Sequence, residues 1–464
     1  MASKSKRARM APERNLSKSF MYWSVAIFFI KLIIIFNIEL VDISISDRIF
    51  PIQGIWLGAD GENYIAGYDA LVQEGVYSQA GILNYWPAGY PLLILLLSFL
   101  GKSWVLTTLA IVQSGIFSLS AYLFANQIAK TKIKKYSFLV FILILINPTL
   151  SLSSMVIGYE SLAASGFLIV VALIISDLVK EKNNLFFFYL AINSSIIGVI
   201  AFMQPRMLVP GILINSLWLI SKVRAKIAIP SLIASITITL FFPATLIYRN
   251  NQAVGLNSIS TNLGATMNIG AGDTANGGYM QKDYGVPCEL FGSPAEQDSQ
   301  KVRCVLNWYL NNPAKAANLF YKKSVYFWSP WINNGFMGEV STGTMSRNPW
   351  QKINPIINIA SNPDGAKLVS GTIGHLVAWL WLLGGVLLML YGYLLLYRQR
   401  SLEGFIGNIA MIVIATNWLV SLLSIGDHRF RIPVMGMSLF LQAIGIRTLL
   451  KGGKIQIVDG PSLR

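Results

Sequence analysis

The sequence predicts an all-α polytopic membrane protein with about ten membrane-spanning helices. Of its 464 residues, 54% are hydrophobic and only 12% are charged, and the mean hydropathy is +0.55. Soluble domains carry about 25% charged residues. The apolar runs are roughly 17 to 25 residues long, which at about 1.5 Å per residue matches a hydrocarbon core about 30 Å thick. The chain shows none of the short alternating segments that are typical of a membrane β-barrel.

The positive charge is concentrated in short connections between the apolar runs. The net charge is +16 and the isoelectric point is near 9.7. Basic connections follow Gln127, Leu178, Ile220 and Leu396, and the amino-terminal segment is also basic. The positive-inside rule places these connections and both termini in the cytoplasm. This distribution argues against a nucleic-acid partner. Because no cleavage site follows the first apolar run and Lys31 interrupts it, we expect a retained helix rather than a signal peptide.

Ten apolar runs are candidates for membrane spans. We expect these helices near Phe20 to Ile38, Ser103 to Ile128, Tyr136 to Leu150, Leu162 to Leu178, Leu185 to Met203, Met207 to Ile220, Ile227 to Tyr248, Leu368 to Tyr397, Gly404 to Leu423 and Val434 to Leu450. The apolar stretch Pro91 to Leu100 is too short to span and is expected to be interfacial or re-entrant.

The spans divide the chain into three expected regions. An N-terminal transmembrane module at 1–248 includes a first extracytoplasmic loop at 39–90. A largely α-helical extracytoplasmic loop region follows at 249–367, and C-terminal transmembrane helices occupy 368–464. Long loops in a compact fold are usually functional, so we expect the functional residues on the extracytoplasmic side of a cell membrane.

The two cysteines, Cys288 and Cys304, both lie in the second extracytoplasmic loop. A disulfide between them would close a loop of about 15 residues, stabilise it by about 3 kcal/mol and require an oxidising compartment. Two free thiols are the alternative. A zinc site is disfavoured because neither of the two histidines lies near the cysteines in sequence.

The first extracytoplasmic loop carries a dense set of acidic and aromatic residues. Asp60 and Glu62 begin a segment in which Tyr64 and Tyr68 suit a short interfacial helix. A carboxylate at the water boundary suits general-base chemistry on a hydroxyl, because partial desolvation raises its pKa toward the operating pH. Solvated loop charges are the alternative interpretation.

The segments DGENY, ALVQEGVYS and YWPAGYPLL in this loop resemble the first loop of the GT-C superfamily of membrane glycosyltransferases. The likeness is strongest to aminoarabinose transferases, protein O-mannosyltransferases and their bacterial relatives. In these enzymes an aspartate at this place acts as, or orients, the catalytic base, so the resemblance implies that role for Asp60. Glu62 and Tyr64 are then expected to contact substrate. Many relatives have a basic residue and two prolines where this chain has Trp86, Pro87 and Ala88.

Two further positions are similar to the same family. Glu160 matches an acidic residue at a helix start on the extracytoplasmic side, and Arg206 matches an arginine beside a proline before a helix. The resemblance implies that both contact the substrate, Arg206 through a lipid phosphate. Alternatively, the Glu160 carboxylate interacts with the positive end of a helix dipole, and the Arg206 side chain extends to lipid headgroups.

The second extracytoplasmic loop opens with a glycine- and asparagine-rich segment. Asn268 and Tyr279, like Asp273 and Asn276, are candidates for hydrogen bonds to a sugar, and Lys322 and Lys323 are candidates for contact with a phosphate. Loop geometry is the competing interpretation for each of these residues. Glycines here match a loose dinucleotide fingerprint, but neither a strand nor a helix frames them, so we regard the match as accidental.

The last extracytoplasmic turn, SIGDHRFRIPV, places His428, Arg429 and Arg431 directly before the final helix. Charges this dense at a membrane boundary need partners, and guanidinium groups bind phosphate in bidentate fashion. The turn also resembles a family motif near the donor phosphate. Salt bridges within the protein are the alternative. We expect Asp60 and this guanidinium cluster to meet at the membrane boundary.

The resemblance implies a sugar transferred from a polyprenyl-phosphate donor to a glycan, lipid or protein hydroxyl, by a single inverting displacement. No cofactor is certain, and a divalent cation on a second carboxylate is left open. A lipid or solute transporter would instead place ionisable groups within its spans, where Lys31, Asp177 and His375 are the candidates. A non-enzymatic cell-envelope assembly factor is the third hypothesis.

Overall fold

The computed structural model describes residues 2–38, 40–45, 48–58, 60–179, 185–223, 225–278, 285–328, 371–399 and 401–450. Helices dominate these ranges, with one β-hairpin near the amino terminus. The elements are α1 (Ala2–Phe36), β1 (Val41–Ile45), β2 (Arg48–Ile52), α2 (Gly61–Glu74), α3 (Gly81–Tyr85), α4 (Gly89–Ser98), α5 (Val105–Ile128), α6 (Ser137–Ile146), α7 (Pro148–Leu152), α8 (Glu160–Val179), α9 (Phe186–Met203), α10 (Leu208–Lys222), α11 (Ala225–Val254), α12 (Leu263–Ile269), α13 (Pro294–Asn311), α14 (Pro313–Trp328), α15 (Gly371–Tyr397), α16 (Leu402–Leu423) and α17 (Ile432–Leu450).

The long apolar helices give the chain the architecture of an α-helical polytopic membrane protein. Within the described ranges, seven helices are long and apolar enough to cross a membrane, or eight if one bent pair counts as a single span. The total of about ten spans stays a prediction. One of the ten expected spans corresponds to α10, which has only 15 residues.

The span expected near Tyr136 to Leu150 is broken into two helical pieces. Helix α6 ends at Ile146, and the two helical pieces differ in direction by 55°. Proline disfavours the helical conformation of the residue before it, and Asn147 accordingly has ψ near 121°. The Asn147 side chain accepts the N–H of Leu150 and so begins a new helix.

The first loop contains a β-hairpin that the helix-based prediction missed. Strands β1 and β2 pair antiparallel with Val41 opposite Ile52, and Ile43 and Ile52 are buried. The helix expected around Tyr64 and Tyr68 is α2, and its position at a membrane interface stays a prediction. Helix α4 has ten residues and a length of about 15 Å, so it is too short to span, as expected for this stretch.

Helices α8 and α17 form the centre of the bundle. Of the 18 residues in the most apolar part of each helix, 72% and 78% are buried, compared with 22% in α1 and in α11. Helix α8 packs against α5, α9 and α17. The ends of these central helices therefore sit in protein surroundings, where charged side chains find partners other than lipid.

Residues 255–278 and 285–328, here called the cap, contain α12, α13 and α14. They form an apolar cluster separate from the bundle core, made of Met267, Ala271, Ala275, Val305, Tyr309, Ala316 and Leu319. Cys288 and Cys304 are joined by a disulfide with a Cα to Cα distance of 6.1 Å, as expected. The cap attaches to the bundle mainly through α14, which packs against α16.

Replacing both Cys288 and Cys304 with serine is expected to destabilise the cap by about 3 kcal/mol, because the unfolded loop between them regains conformational entropy. The cysteines are 16 residues apart in sequence. Limited proteolysis under non-reducing conditions should cleave the double variant within the cap faster than the wild type, and reduced wild-type protein should behave like the variant. Equal cleavage rates for all three samples would contradict the expectation.

Candidate functional site

A short parallel β-bridge brings the segment before α2 beside the segment before α8. The Trp56 N–H donates to the Met155 carbonyl and the Ile157 N–H donates to the Trp56 carbonyl, both at 2.9 Å. At Gly58 an added Cβ would lie 2.4 Å from the Ile157 carbonyl oxygen, so a side chain there would push the segments apart. This close approach places two carboxylates at one small cavity, which is lined by Gly58, Asp60, Tyr64, Ser153, Val156, Ile157 and Glu160.

The turn between α16 and α17 presents Arg429 to the same cavity. The Asp427 carboxylate accepts the Arg429 N–H at 2.8 Å and begins the 3-10 turn His428–Arg431. The buried Asn417 side chain donates to the Phe430 carbonyl. Both contacts bind the backbone of the turn, so they fix the direction in which the Arg429 side chain leaves it.

Arg429 bridges two carboxylates. Its Nη1 lies 2.9 Å from Oδ2 of Asp60, and its Nε lies 3.5 Å from Oε1 of Glu160. The side chains of Asp60 and Glu160 are only 16% and 10% exposed. Asp60 precedes α2, yet its carboxylate makes no helix-capping hydrogen bond, so it is directed at Arg429 instead. Asp60 thus contacts one guanidinium of the expected cluster, that of Arg429, and the location of this contact at a membrane boundary stays a prediction.

Arg206 lies beside this cluster with different partners. Its Nη2 donates to the Tyr159 hydroxyl at 2.6 Å, and its guanidinium lies 3.7 Å from the centre of the Phe430 ring. Burial raises the pKa of Tyr159 to about 12, so that partner is uncharged at neutral pH. Burial also lowers the pKa of Arg206. Among the described residues Arg206 has no carboxylate within ion-pair distance, and its buried Nε has no hydrogen-bond partner.

The tyrosines around the cavity are buried and neutral. The Tyr64 ring lies 4.7 Å from the Tyr90 ring, and the Tyr90 hydroxyl accepts the Gly158 N–H and donates to Gln113. Burial, with Asp60 and Glu160 nearby, raises the pKa of Tyr64 well above its ordinary value. In contrast, Glu62 is exposed on the first turn of α2, where its carboxylate interacts favourably with the positive end of the helix dipole.

Sequence reasoning missed Tyr159. The signal for it was its position directly before Glu160, in a short turn between two apolar helices. Tyr90 was also missed, although it lies in the YWPAGYPLL segment that carries the family likeness. Neither residue is ionisable in the physiological range, so a search for charged groups passes over both of them.

Two predicted site residues hold the structure together rather than lining the cavity. Arg431 donates from Nη1 to the Trp328 carbonyl at 2.7 Å and so joins the final turn to the cap. The Asn268 side chain accepts the Val286 N–H at 2.7 Å, which fixes the cap loop. Tyr279 and the side chain of His428 lie outside the described residues.

Two of the ionisable residues within the spans make specific structural contacts. Lys31 is buried and donates to the Ser151 carbonyl and the Ser154 hydroxyl, both at 2.8 Å. Asp177 accepts from the Trp218 indole at 3.1 Å and lies 3.4 Å from the Lys222 ammonium. The side chain of His375 lies outside the described residues.

Comparison with protein-family models, with curated proteins and with solved structures gives no match. In the described part of the chain, no group of three or more His, Cys, Asp or Glu side chains is arranged to hold a metal ion. A divalent cation at the carboxylates stays a prediction that the geometry does not test.

Replacing Arg429 with glutamine is expected to destabilise the protein by about 3 to 5 kcal/mol, because two little-exposed carboxylates then lack a counter-charge. Replacing Asp60 with asparagine in the same protein should restore part of this loss, since only one carboxylate then remains unpaired. Thermal unfolding of the single and double variants measures the coupling. Purely additive losses would show that Asp60 and Arg429 do not interact.

Lys323 is a buried cation in the contact between the cap and the bundle. Its ammonium donates to the Tyr309 hydroxyl at 2.8 Å and to the Leu422 carbonyl at 2.9 Å. Both partners are uncharged, and burial lowers the pKa of Lys323 to about 7 from its ordinary 10.5. Lys323 is therefore enclosed by protein rather than presented to a phosphate.

Because the folded state disfavours the charged form of Lys323, stability is expected to fall as the pH drops from 10.5 through 7 and to level off below that. Replacing Lys323 with methionine removes the titrating group, so the difference in unfolding temperature between alkaline and slightly acidic pH should shrink. The half-exposed Lys301 on α13, replaced in the same way, is the matched control and should leave that difference unchanged. A variant with the wild-type pH profile would exclude Lys323 as the source.

Proposed function

We propose that this protein is an integral-membrane glycosyltransferase that transfers a sugar from a polyprenyl-phosphate donor to an acceptor hydroxyl. The supporting observation is that Asp60 and Arg429, 369 residues apart in sequence, meet in an ion pair at 2.9 Å. Beside them lies Arg206, a guanidinium without a carboxylate partner in the described part of the chain. A candidate base and a candidate phosphate-binding group thus share one site.

The membrane orientation belongs to this proposal. By the positive-inside rule, the basic connections favour a cytoplasmic location for the opposite end of the bundle, so the site would face the extracytoplasmic side of a cell membrane. Donors would be presented there by their lipid carrier, and the acceptor would be a glycan, lipid or protein. A long apolar carrier also accounts for an active site at the end of membrane helices.

Asp60 is proposed as the general base. Its carboxylate borders the cavity and is held by Arg429, so the acceptor hydroxyl would bind where it can donate to the second carboxylate oxygen. Glu160 shares Arg429 and lines the same cavity, which makes it a positioning group for the guanidinium. Arg429 would therefore orient Asp60 rather than take up the phosphate alone.

Arg206 is proposed as the main phosphate contact. Stacking on Phe430 and the hydrogen bond to Tyr159 fix the plane of its guanidinium, and neither partner neutralises its charge. A partly desolvated cation without a carboxylate gains more from a bound phosphate than one already paired twice. Arg429 would thus orient the base, and Arg206 would bind the phosphate of the leaving group.

The proposed reaction is one displacement with inversion at the anomeric carbon. The acceptor oxygen forms the new bond to that carbon as the bond from carbon to the phosphate oxygen breaks. The acceptor proton passes to the Asp60 carboxylate, and the electron pair leaves with the prenyl phosphate. Arg206 would stabilise the charge that develops on the leaving oxygen. The step needs neither a covalent enzyme intermediate nor a redox partner.

Replacing Asp60 with asparagine is expected to reduce turnover about a hundredfold or more while leaving donor binding intact, because only the base is lost. Purified protein would be incubated with a panel of prenyl-phosphate sugars and a mixed acceptor fraction, and release of prenyl phosphate would be measured. Replacing Arg206 with glutamine should instead weaken donor binding.

The matched control is Asp69→Asn, which removes a carboxylate from α2, the helix that Asp60 precedes. Asp69 pairs at 3.4 Å with the exposed Arg48, so its loss should leave turnover unchanged. Undiminished turnover in the Asp60 variant would overturn the assignment of the base. Absence of prenyl-phosphate release from every donor in wild-type protein would overturn the transferase assignment and favour a transporter or an assembly factor.

A further inference from the structure

The cap contains a second cleft, separate from the cavity at Asp60. The volume of the cleft is about 270 Å³, slightly below the usual range of about 300 to 1,000 Å³ for ligand sites. The residues that line it are Gly272, Asp273, Ala275, Trp308, Lys315, Asn318, Leu319 and Lys322. None of the contacts described for Asp60, Glu160 and Arg206 involves these side chains.

The chemistry of the cleft comes from two helices. Lys315, Asn318 and Lys322 are spaced three and four residues apart on α14, so they share one face of that helix. Trp308 on α13 is half-buried, and its ring packs edge to face against Tyr309. A rigid, partly exposed indole beside amide and ammonium donors offers an apolar surface with hydrogen-bonding groups around it.

The balance of charge favours an anion. Lys322 is exposed and forms no ion pair within the described ranges. Lys315 pairs with Asp273 at 2.9 Å, but both side chains are more than half exposed, so the pair is weak and open to exchange. The lining of the cleft thus contains two ammonium groups and one carboxylate.

The cleft is close to the turn that carries Arg429. The Gly277 carbonyl accepts the Gly426 N–H at 2.8 Å, and Gly426 lies against the backbone of Lys323, next to Lys322. An added Cβ at Gly426 would lie 2.5 Å from the Lys323 carbonyl oxygen. The wall of the cleft and the turn that leads into Arg429 are therefore in direct backbone contact.

We propose that this cleft binds an acidic saccharide, with the indole of Trp308 stacked on a sugar ring and Lys322 paired with its carboxylate. Asn318 would hydrogen-bond the ring hydroxyls, and Lys315 would exchange Asp273 for the ligand. Identifying this saccharide as part of the acceptor rests on the proposed transferase function. Binding itself does not, since it requires neither Asp60 nor a donor.

The test measures binding of tetragalacturonate and of maltotetraose, an uncharged oligosaccharide of equal length, to the purified full chain in nanodiscs of neutral lipid. Isothermal titration should detect tetragalacturonate and give much weaker binding of maltotetraose. Trp308→Ala and Lys322→Gln should each weaken tetragalacturonate binding about five- to tenfold. Trp308→Phe should retain most of the affinity, because it keeps an aromatic surface.

Matched controls come from residues outside the cleft. Trp104→Ala removes a tryptophan that is 55% exposed, and Lys301→Gln removes a lysine on α13. Both should bind tetragalacturonate like the wild type, and all variants should unfold at similar temperatures. Asp60→Asn should also bind normally, which separates this proposal from the transferase assignment.

Three results would overturn the proposal. Wild-type protein that fails to bind tetragalacturonate, or binds maltotetraose equally well, excludes a site for acidic saccharides. Affinity that is unchanged in Trp308→Ala and Lys322→Gln places binding elsewhere. The last result is that vesicles of phosphatidylglycerol displace the saccharide, and that this displacement requires Lys322 but is unchanged in Trp308→Ala. The cleft would then be a lipid headgroup site instead.

Discussion

The interaction on which the site depends is the bridge that Arg429 makes between Asp60 and Glu160. The three residues come from the starts of α2 and α8 and the turn before α17, so one guanidinium ties together three separate parts of the chain. Two little-exposed carboxylates in one cavity would repel each other, and a shared cation keeps both in place. The charge that holds the site together is also the charge that orients its candidate base.

The backbone makes this arrangement possible before any side chain contributes. The β-bridge between Trp56 and Val156 sets the two loop segments side by side, and Gly58 allows the contact because it has no Cβ. The break at Asn147 and Pro148 has a related effect, since it ends α6 early and lets the chain turn back into the bundle. Thr149 and Leu150, directly after the break, are buried, so protein surrounds the irregular backbone there.

The cap extends the same end of the bundle with a smaller core of its own. Its docking relies on a buried lysine, Lys323, on Arg431 at the Trp328 carbonyl, and on the close contact at Gly426. Each of these contacts is made to backbone, and side chains add to them, since the Trp418 indole donates to the Ser324 hydroxyl at 3.2 Å. The same contacts place the Trp308 cleft near the turn that carries Arg429, which links the two proposed binding regions.

The sequence alone determined the membrane class and the approximate ends of most long apolar helices, and it indicated the disulfide and the candidate residues Asp60, Glu160, Arg206 and Arg429, because hydropathy, charge pattern and short motifs are local properties. Only the tertiary structure decided what each charge contacts. It separated Arg206, which has no carboxylate partner in the described chain, from Arg429, which has two, and it assigned Arg431 and Asn268 to structural contacts. It also revealed the hairpin and the broken helix. Pairing between residues hundreds of positions apart depends on how helices pack, and packing depends on shape complementarity that no local pattern contains.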